Sequence, residues 1–198
     1  MADQSPIHFK LFDVYDVSEV KVADPALQPY INLTPRLLLK THGRQSTKAN
    51  IIEKLANRLA VPGHVGKKHK IITSWSSGKY NINMKTILEV LQRIEEKTKK
   101  NPVQVLVSAI ENGSPRDEIT VIESGGARYP QAVDCSPTRR VNLAIRWFVQ
   151  GSYAKAFGKK KFMKDTLADE IIAASEKSMD SYAVGKKTES EKQADSAR

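Results

Sequence analysis

Residues 101–140 read NPVQVLVSAIENGSPRDEITVIESGGARYPQAVDCSPTRR, and the fold is decided there. Asn101-Pro102 is a helix start, an acceptor side chain followed by a proline at a position that needs no amide partner. Val103-Gln104-Val105-Leu106-Val107-Ser108-Ala109-Ile110 is apolar nearly all round, which predicts a central, buried helix ending at Gly113. The period then changes to two. Glu118-Ile119-Thr120-Val121-Ile122 alternates, Gly125-Gly126 turns, and Arg128 to Asp134 returns, so a β-hairpin is predicted over 117–134. Pro130 has no N–H to give to a ladder and requires an open edge. A lone ribbon is marginal in water; no third strand is present in the sequence, so the tip is expected to lean on a partner. Ser136-Pro137 repeats the cap-then-proline signal. It opens a long helix with Val141, Ile145, Phe148 and Val149 inward, and Arg139, Asn142, Arg146 and Gln150 on another face.

Helices are also read on both sides of this stretch. On the amino-terminal side, Ile51, Ile52, Leu55 and Leu59 form a helical stripe starting near Thr47 and stopped by Pro62-Gly63. Asn83 is read as the cap of a second helix carrying Met84, Ile87, Leu88, Leu91 and Ile94 on one face and Glu89, Arg93, Glu96 and Lys97 on the other. Residues 36–48 are basic and turn-rich. Residues 63–80 form a basic, glycine-punctuated loop around Trp75. Residues 1–33, with Pro6, Pro25 and Pro29, read as an extended, loosely structured acidic arm. On the carboxyl-terminal side a basic turn, Lys159-Lys160-Lys161, precedes a helix with Leu167, Ala168, Ile171 and Ile172. The stretch from Lys186 to Arg198 is a polar helix or tail. The predicted class is mainly α: a bundle of about six helices with one projecting β-hairpin, in a single helical domain over 34–198.

Composition agrees. The 198 residues are 40% hydrophobic and 27% charged, which is globular rather than disordered. A compact chain of this length buries roughly 70% of its unfolded surface and needs no staple. The single cysteine excludes an internal disulfide and any multi-cysteine zinc site. No apolar run approaches the length of a membrane span. Met1-Ala2-Asp3-Gln4-Ser5-Pro6 is neither basic nor apolar, so no signal peptide is expected and the compartment is expected to be the cytosol. The sequons at Asn32 and Asn112 are read as chance.

The net charge of +10 is unevenly laid out. Residues 1–30 hold two bases and five acids, residues 31–80 ten bases and one acid, and residues 165–198 five bases and eight acids. Between Cys135 and Lys164 there are eight bases and no acid. A solvated surface ordinarily mixes both signs. Long windows nearly free of acids suit a polyanion, because each phosphate contact needs a cation not already neutralised. Nucleic acid ranks first as partner and an anionic membrane surface second.

Catalytic patterns are missing. His64 and His69 are five apart in a lysine-rich loop, the wrong spacing and field for a metal. Cys135 has no histidine near it in sequence and reads as a packed thiol. Gly63-His64-Val65-Gly66-Lys67-Lys68 lacks the gap and the hydroxyl of a phosphate loop. Trp147 reads as half-buried beneath a basic face. Trp75 has little core around it; stacking on RNA and packing within its own loop are equal readings of it, and it is kept as a candidate for RNA. No enzyme, no cofactor and no metal are expected.

The ordered motifs, from Pro29-Tyr30-Ile31-Asn32-Leu33 and Thr41-His42-Gly43-Arg44 through the quoted stretch to Ala144-Ile145-Arg146-Trp147, Leu167-Ala168-Asp169-Glu170-Ile171-Ile172 and Ser181-Tyr182-Ala183-Val184-Gly185-Lys186-Lys187, resemble the ribosomal protein seven family of the small subunit in its archaeal and eukaryotic form. The short amino-terminal region favours the archaeal form. The resemblance implies six helices with a hairpin arm. It also implies direct binding to small-subunit ribosomal RNA, early nucleation of the head domain, neighbouring ribosomal proteins, and a hairpin near the exit-site transfer RNA and the messenger path. It maps a basic turn onto residues 40–48 and a Pro-x-Arg-Arg motif onto Pro137–Arg140. The hairpin carries only Arg116 and Arg128 against Asp117, Glu118, Glu123 and Asp134, so the RNA load is assigned elsewhere. The candidate RNA-binding residues are Arg36, Lys40, His42, Arg44, Lys48, Lys67, Lys68, Lys70, Trp75, Lys79, Arg139, Arg140, Arg146, Lys159, Lys160 and Lys161. The hairpin tip, Ser124, Gly125, Gly126, Ala127 and Arg128, is the candidate face toward transfer RNA. The alternative from another class is a free messenger-binding translational regulator; an RNA-modifying enzyme lacks a cofactor motif.

Overall fold

A computed structural model describes residues 10–34, 49–62 and 80–198. The start signal at Asn101 forms as read. Its side chain accepts the Val103 amide at 3.0 Å, and α3 runs Pro102–Gly113. Eight of the twelve residues of α3 are buried, so it is the axis of the molecule. Around it pack α2 (Tyr80–Thr98), α4 (Pro137–Ala156), α5 (Met163–Ser175) and α6 (Tyr182–Ser196), while α1 (Ile51–Leu59) lies on α2 and α4. Among the described residues there are six helices, and none is long and apolar enough to cross a membrane.

Two helix starts differ from their sequence reading. α1 begins at Asn50 rather than near Thr47: Asn50 Oδ1 accepts the Ile52 amide at 2.9 Å, while its Nδ2 donates to the Leu33 carbonyl at 2.8 Å. Asn83 is no cap. It lies one turn inside α2, and its Nδ2 donates to the Ala56 carbonyl at 3.2 Å, pinning α2 to the end of α1. An asparagine at either kind of position has the same composition signal; only tertiary contact separates them. Ser136 does stand at the N-cap of α4, but its hydroxyl makes no capping bond.

Charged side chains on α2 meet α5. Arg93 pairs with Asp165, Lys97 with Asp169 at 2.5 Å, and Glu89 with Lys164 at 2.7 Å. At the far side Glu170 is wholly buried and caps α6, accepting from Ser181 Oγ at 2.7 Å and the Ala183 amide at 3.1 Å, with Lys155 Nζ at 2.6 Å. α4 and α6 approach closely at Gly151, where an added Cβ would come within 2.5 Å of Tyr182 Cβ.

The hairpin is β3 (Asp117–Ser124) and β4 (Ala127–Asp134). Ser124 faces Ala127 across Gly125 and Gly126, whose φ angles of +58° and +82° suit the tight two-residue turn. Counting back from that closing pair, alternate pairs are hydrogen-bonded, so Val121 and Pro130 form a non-bonded pair. Pro130 therefore costs the ladder nothing. The base leans on the protein itself. Ser190 Oγ donates to the Asp117 carbonyl, Glu191 accepts the Arg116 amide, and Arg198 pairs with Asp117. Thr120 to Glu123 and Gly125 to Gln131 are exposed.

Residues 10–34 correct the reading of a loose arm. The segment is irregular, with only a two-residue ladder between β1 (Lys10–Leu11) and β2 (Tyr15–Asp16), but it is docked. Leu11, Tyr15, Leu27 and Ile31 are buried in the core. Gln104 of α3 bonds the Lys21 backbone from both ends of its amide, and Glu111 accepts the Ala23 and Asp24 amides at 2.6 and 3.0 Å. Two polar side chains of α3 thus satisfy backbone groups that an irregular segment would otherwise leave unpaired.

Candidate nucleic-acid interface

Of the candidate residues, Arg36, Lys40, His42, Arg44, Lys48, Lys67, Lys68, Lys70, Trp75 and Lys79 lie outside the described residues, as do all four histidines. Arg139, Arg140, Arg146 and Lys159 to Lys161 lie within them, on α4 and the turn after it.

The eight bases of the carboxylate-free window divide into two groups. Four are neutralised by acids from elsewhere in the chain. Arg140 reaches Asp24 of the arm at 2.7 Å, Arg139 pairs with Glu118 of β3, Lys155 with Glu170, and Lys164 with Glu89. Arg146, Lys159, Lys160 and Lys161 are exposed and have no carboxylate partner among the described residues.

Arg140 therefore leaves the candidate set. It is 8% exposed, donates to Asp24 and lies 3.4 Å from Ser114 Oγ. Burial alone would raise the Asp24 carboxyl; the Arg140 hydrogen bond and charge, with the Ala26 amide, outweigh it and hold that carboxyl below its usual value. Arg140 clamps the arm to α4, and a phosphate would have to enter the protein to reach it. Arg139 is half-exposed and keeps Glu118 beside it, which raises its already high pKa. Gln150 also departs from the exposed face and is buried, while Arg139, Asn142 and Arg146 face solvent. Trp147 is half-buried against the core, as its position beneath the basic face requires.

Sequence reasoning missed the helix that faces Arg146. Lys54 and Arg58, one turn apart on α1, lie off the apolar stripe. Burial depresses both side-chain pKa values, and the nearby Arg146 charge depresses Arg58 further. The i, i+4 spacing of Lys54 and Arg58 was the available signal, but the sequence does not show that α1 packs on α4.

The remaining chemistry is inert. Burial, with Glu118 next, pushes the Cys135 thiol up to about 11, so it stays protonated at neutral pH. No group of three or more metal-ligating side chains is present among the described residues. A cleft of about 880 Å³ between the arm, α2, α3 and α5 is lined by Glu19, Asp169, Glu176 and Asp180 against Lys97 and Lys100; its carboxylates repel phosphate. The exposed, carboxylate-free cations among the described candidate residues thus lie on α4 and the turn after it.

Residues 28–198 match the family model described as ribosomal protein S7p/S5e. The chain belongs to the ribosomal protein S7p/S5e family. It is 48% identical over 195 residues to the small ribosomal subunit protein uS7 of Nanoarchaeum equitans, covering 96% of this chain and 98% of that one. The uS7 proteins of Archaeoglobus fulgidus and Methanococcus maripaludis are 44% and 43% identical, each over at least 94% of both chains. These are archaeal relatives, and the archaeal form of the S7p/S5e family is the one shown. Membership makes the chain a structural, non-enzymatic ribosomal protein of the small subunit, which places it in the cytoplasm.

Proposed function

We propose that the protein binds small-subunit ribosomal RNA directly, as a primary binder that nucleates assembly of the head domain. One observation carries this: Arg146, Lys159, Lys160 and Lys161, on α4 and the turn after it, are exposed cations without carboxylate partners among the described residues. The basic segments containing Arg36, Lys40, His42, Arg44, Lys48, Lys67, Lys68, Lys70, Trp75 and Lys79 extend that interface in this reading. Arg139 joins it by exchanging Glu118 for a phosphate. The direct test is affinity for a transcribed head-domain RNA. Arg146→Ala with Lys159, Lys160 and Lys161→Gln should weaken binding at least tenfold with an unchanged melting temperature; parental affinity would overturn the assignment.

The hairpin has a separate role in this reading. Its distal half is exposed and near neutral, with Arg128 paired to Glu123 at 3.0 Å, which suits approach to a bulky neighbour such as exit-site transfer RNA beside the messenger path. Deleting Ser124 to Ala127 should leave RNA binding and subunit assembly intact while lowering transfer RNA occupancy at the exit site or reading-frame fidelity. Failure of head assembly in the deletion strain would make the hairpin an anchor instead.

A further inference from the structure

The turn between α4 and α5 reads Phe157-Gly158-Lys159-Lys160-Lys161-Phe162. Neither phenylalanine is buried. Phe162 stands at the N-cap of α5, where a side chain ordinarily offers an oxygen to free amides; it makes no capping bond and is 70% exposed. Phe157 ends α4 and is 57% exposed, its ring 5.6 Å from Tyr153 and tilted by 37°. Lys164 Nζ lies 5.6 Å from the Phe162 ring centre, a cation–π contact that orients the ring. Gly158, at φ +71° with open space around it, reverses the chain.

We propose that this turn is a stacking platform for unpaired RNA, in which Phe157 and Phe162 take the faces of unstacked bases and the three lysines hold the intervening phosphates. The inference rests on the RNA-binding reading above and goes beyond it in naming the form of RNA recognised. A duplex hides its base faces and offers phosphates and groove edges, for which lysines alone suffice; exposed aromatic rings find their complement only where bases are splayed out. An apolar pocket on a neighbouring protein would accept the rings, but it would desolvate three ammonium groups that have no carboxylate of their own. Single-stranded or bulged RNA satisfies both halves of the turn.

The test uses the purified full chain with two probes, a 12-nucleotide oligoadenylate and a fully paired 12-base-pair RNA duplex. Phe157→Leu with Phe162→Leu keeps apolar bulk and removes the π faces. It should weaken oligoadenylate binding at least about tenfold, in line with the loss of a stacked base, and leave duplex affinity within twofold. Phe162→Trp should hold parental affinity and gain fluorescence quenching by oligoadenylate beyond that of the parent. Parental oligoadenylate affinity in the double Leu variant overturns the proposal. If Lys159, Lys160 and Lys161→Gln still weakens both probes, the turn contacts phosphate only and the RNA-binding reading survives. If that variant binds both probes like the parent, the RNA-binding reading of this turn falls as well. Loss of the double Leu variant from assembled subunits, with RNA affinities unchanged, would assign the rings to a protein neighbour and likewise overturn the proposal.

Discussion

Neighbouring arginines in one motif have different work. Arg140 is buried against Asp24, and removing it strands a partly buried carboxylate, so Arg140→Ala should cost about 2 to 4 kcal/mol in urea unfolding. Arg139 makes a solvent-screened pair, and Arg139→Ala should cost less than about 1 kcal/mol. Equal costs would show that burial does not separate the two. The same pair gives a pH dependence. The Asp24 carboxyl is depressed in the folded state, so its contribution is fully present above the unfolded carboxylate pKa and is lost as pH falls through the lower folded value. The urea midpoint of the parent should therefore fall on acidification by more than that of Arg140→Ala, which lacks the pair at every pH. Sequence alone gave both arginines to RNA. The window around them is free of acids along the chain, but Asp24 and Glu118 arrive from 116 and 21 residues away, and one-dimensional charge counting does not register them.

Among the elements, those with a strong local signal were legible and those defined by their neighbours were not. Asn101-Pro102, the buried α3 and the Gly125-Gly126 turn formed where the sequence put them, because capping, period and positive φ are decided within a few residues. The true start of α1, the inward role of Asn83 and the docking of residues 10–34 depend on partners distant in the chain. The α4–α6 crossing is another such feature. Gly151 permits it, and the buried Glu170 ties α4, α5 and α6 together. Gly151→Ala must displace Tyr182, backbone-proximal atoms that cannot rotate away, and should destabilise the protein by about 1 to 3 kcal/mol. Gly185→Ala, with open space around it, serves as the control and should be neutral or slightly stabilising in a thermal melt.

For the molecule as a whole, charge is segregated rather than abundant. A cleft lined by carboxylates beside the arm and exposed, carboxylate-free cations on α4 and the α4–α5 turn give the surface regions of opposite sign, a pattern that orients a protein on a polyanion before any contact forms. Affinity for the head-domain RNA should fall steeply with salt, each neutralised phosphate contributing about −0.7 to −0.9 to the logarithmic slope. Removing Arg146, Lys159, Lys160 and Lys161 should flatten the slope by roughly 3 units, and Arg140→Ala should leave it unchanged. The overall charge asymmetry was legible in the sequence; the surface that bears it was not, because it depends on which cations find acids once the helices pack.

The docking of residues 10–34 also bears on how the chain comes to fold. Lys21, Ala23 and Asp24 are held by Gln104, Glu111 and Arg140, separations of 83, 88 and 116 residues. In synthesis residues 10–34 are made before every helix that holds them, so this segment finds its place only after α3 and the start of α4 have been made and packed. Until then it remains an unpacked, acidic stretch, four acids to two bases over residues 10–34, ahead of a strongly basic one. Its final closure over α3 couples the completion of the fold to a late stretch of the message.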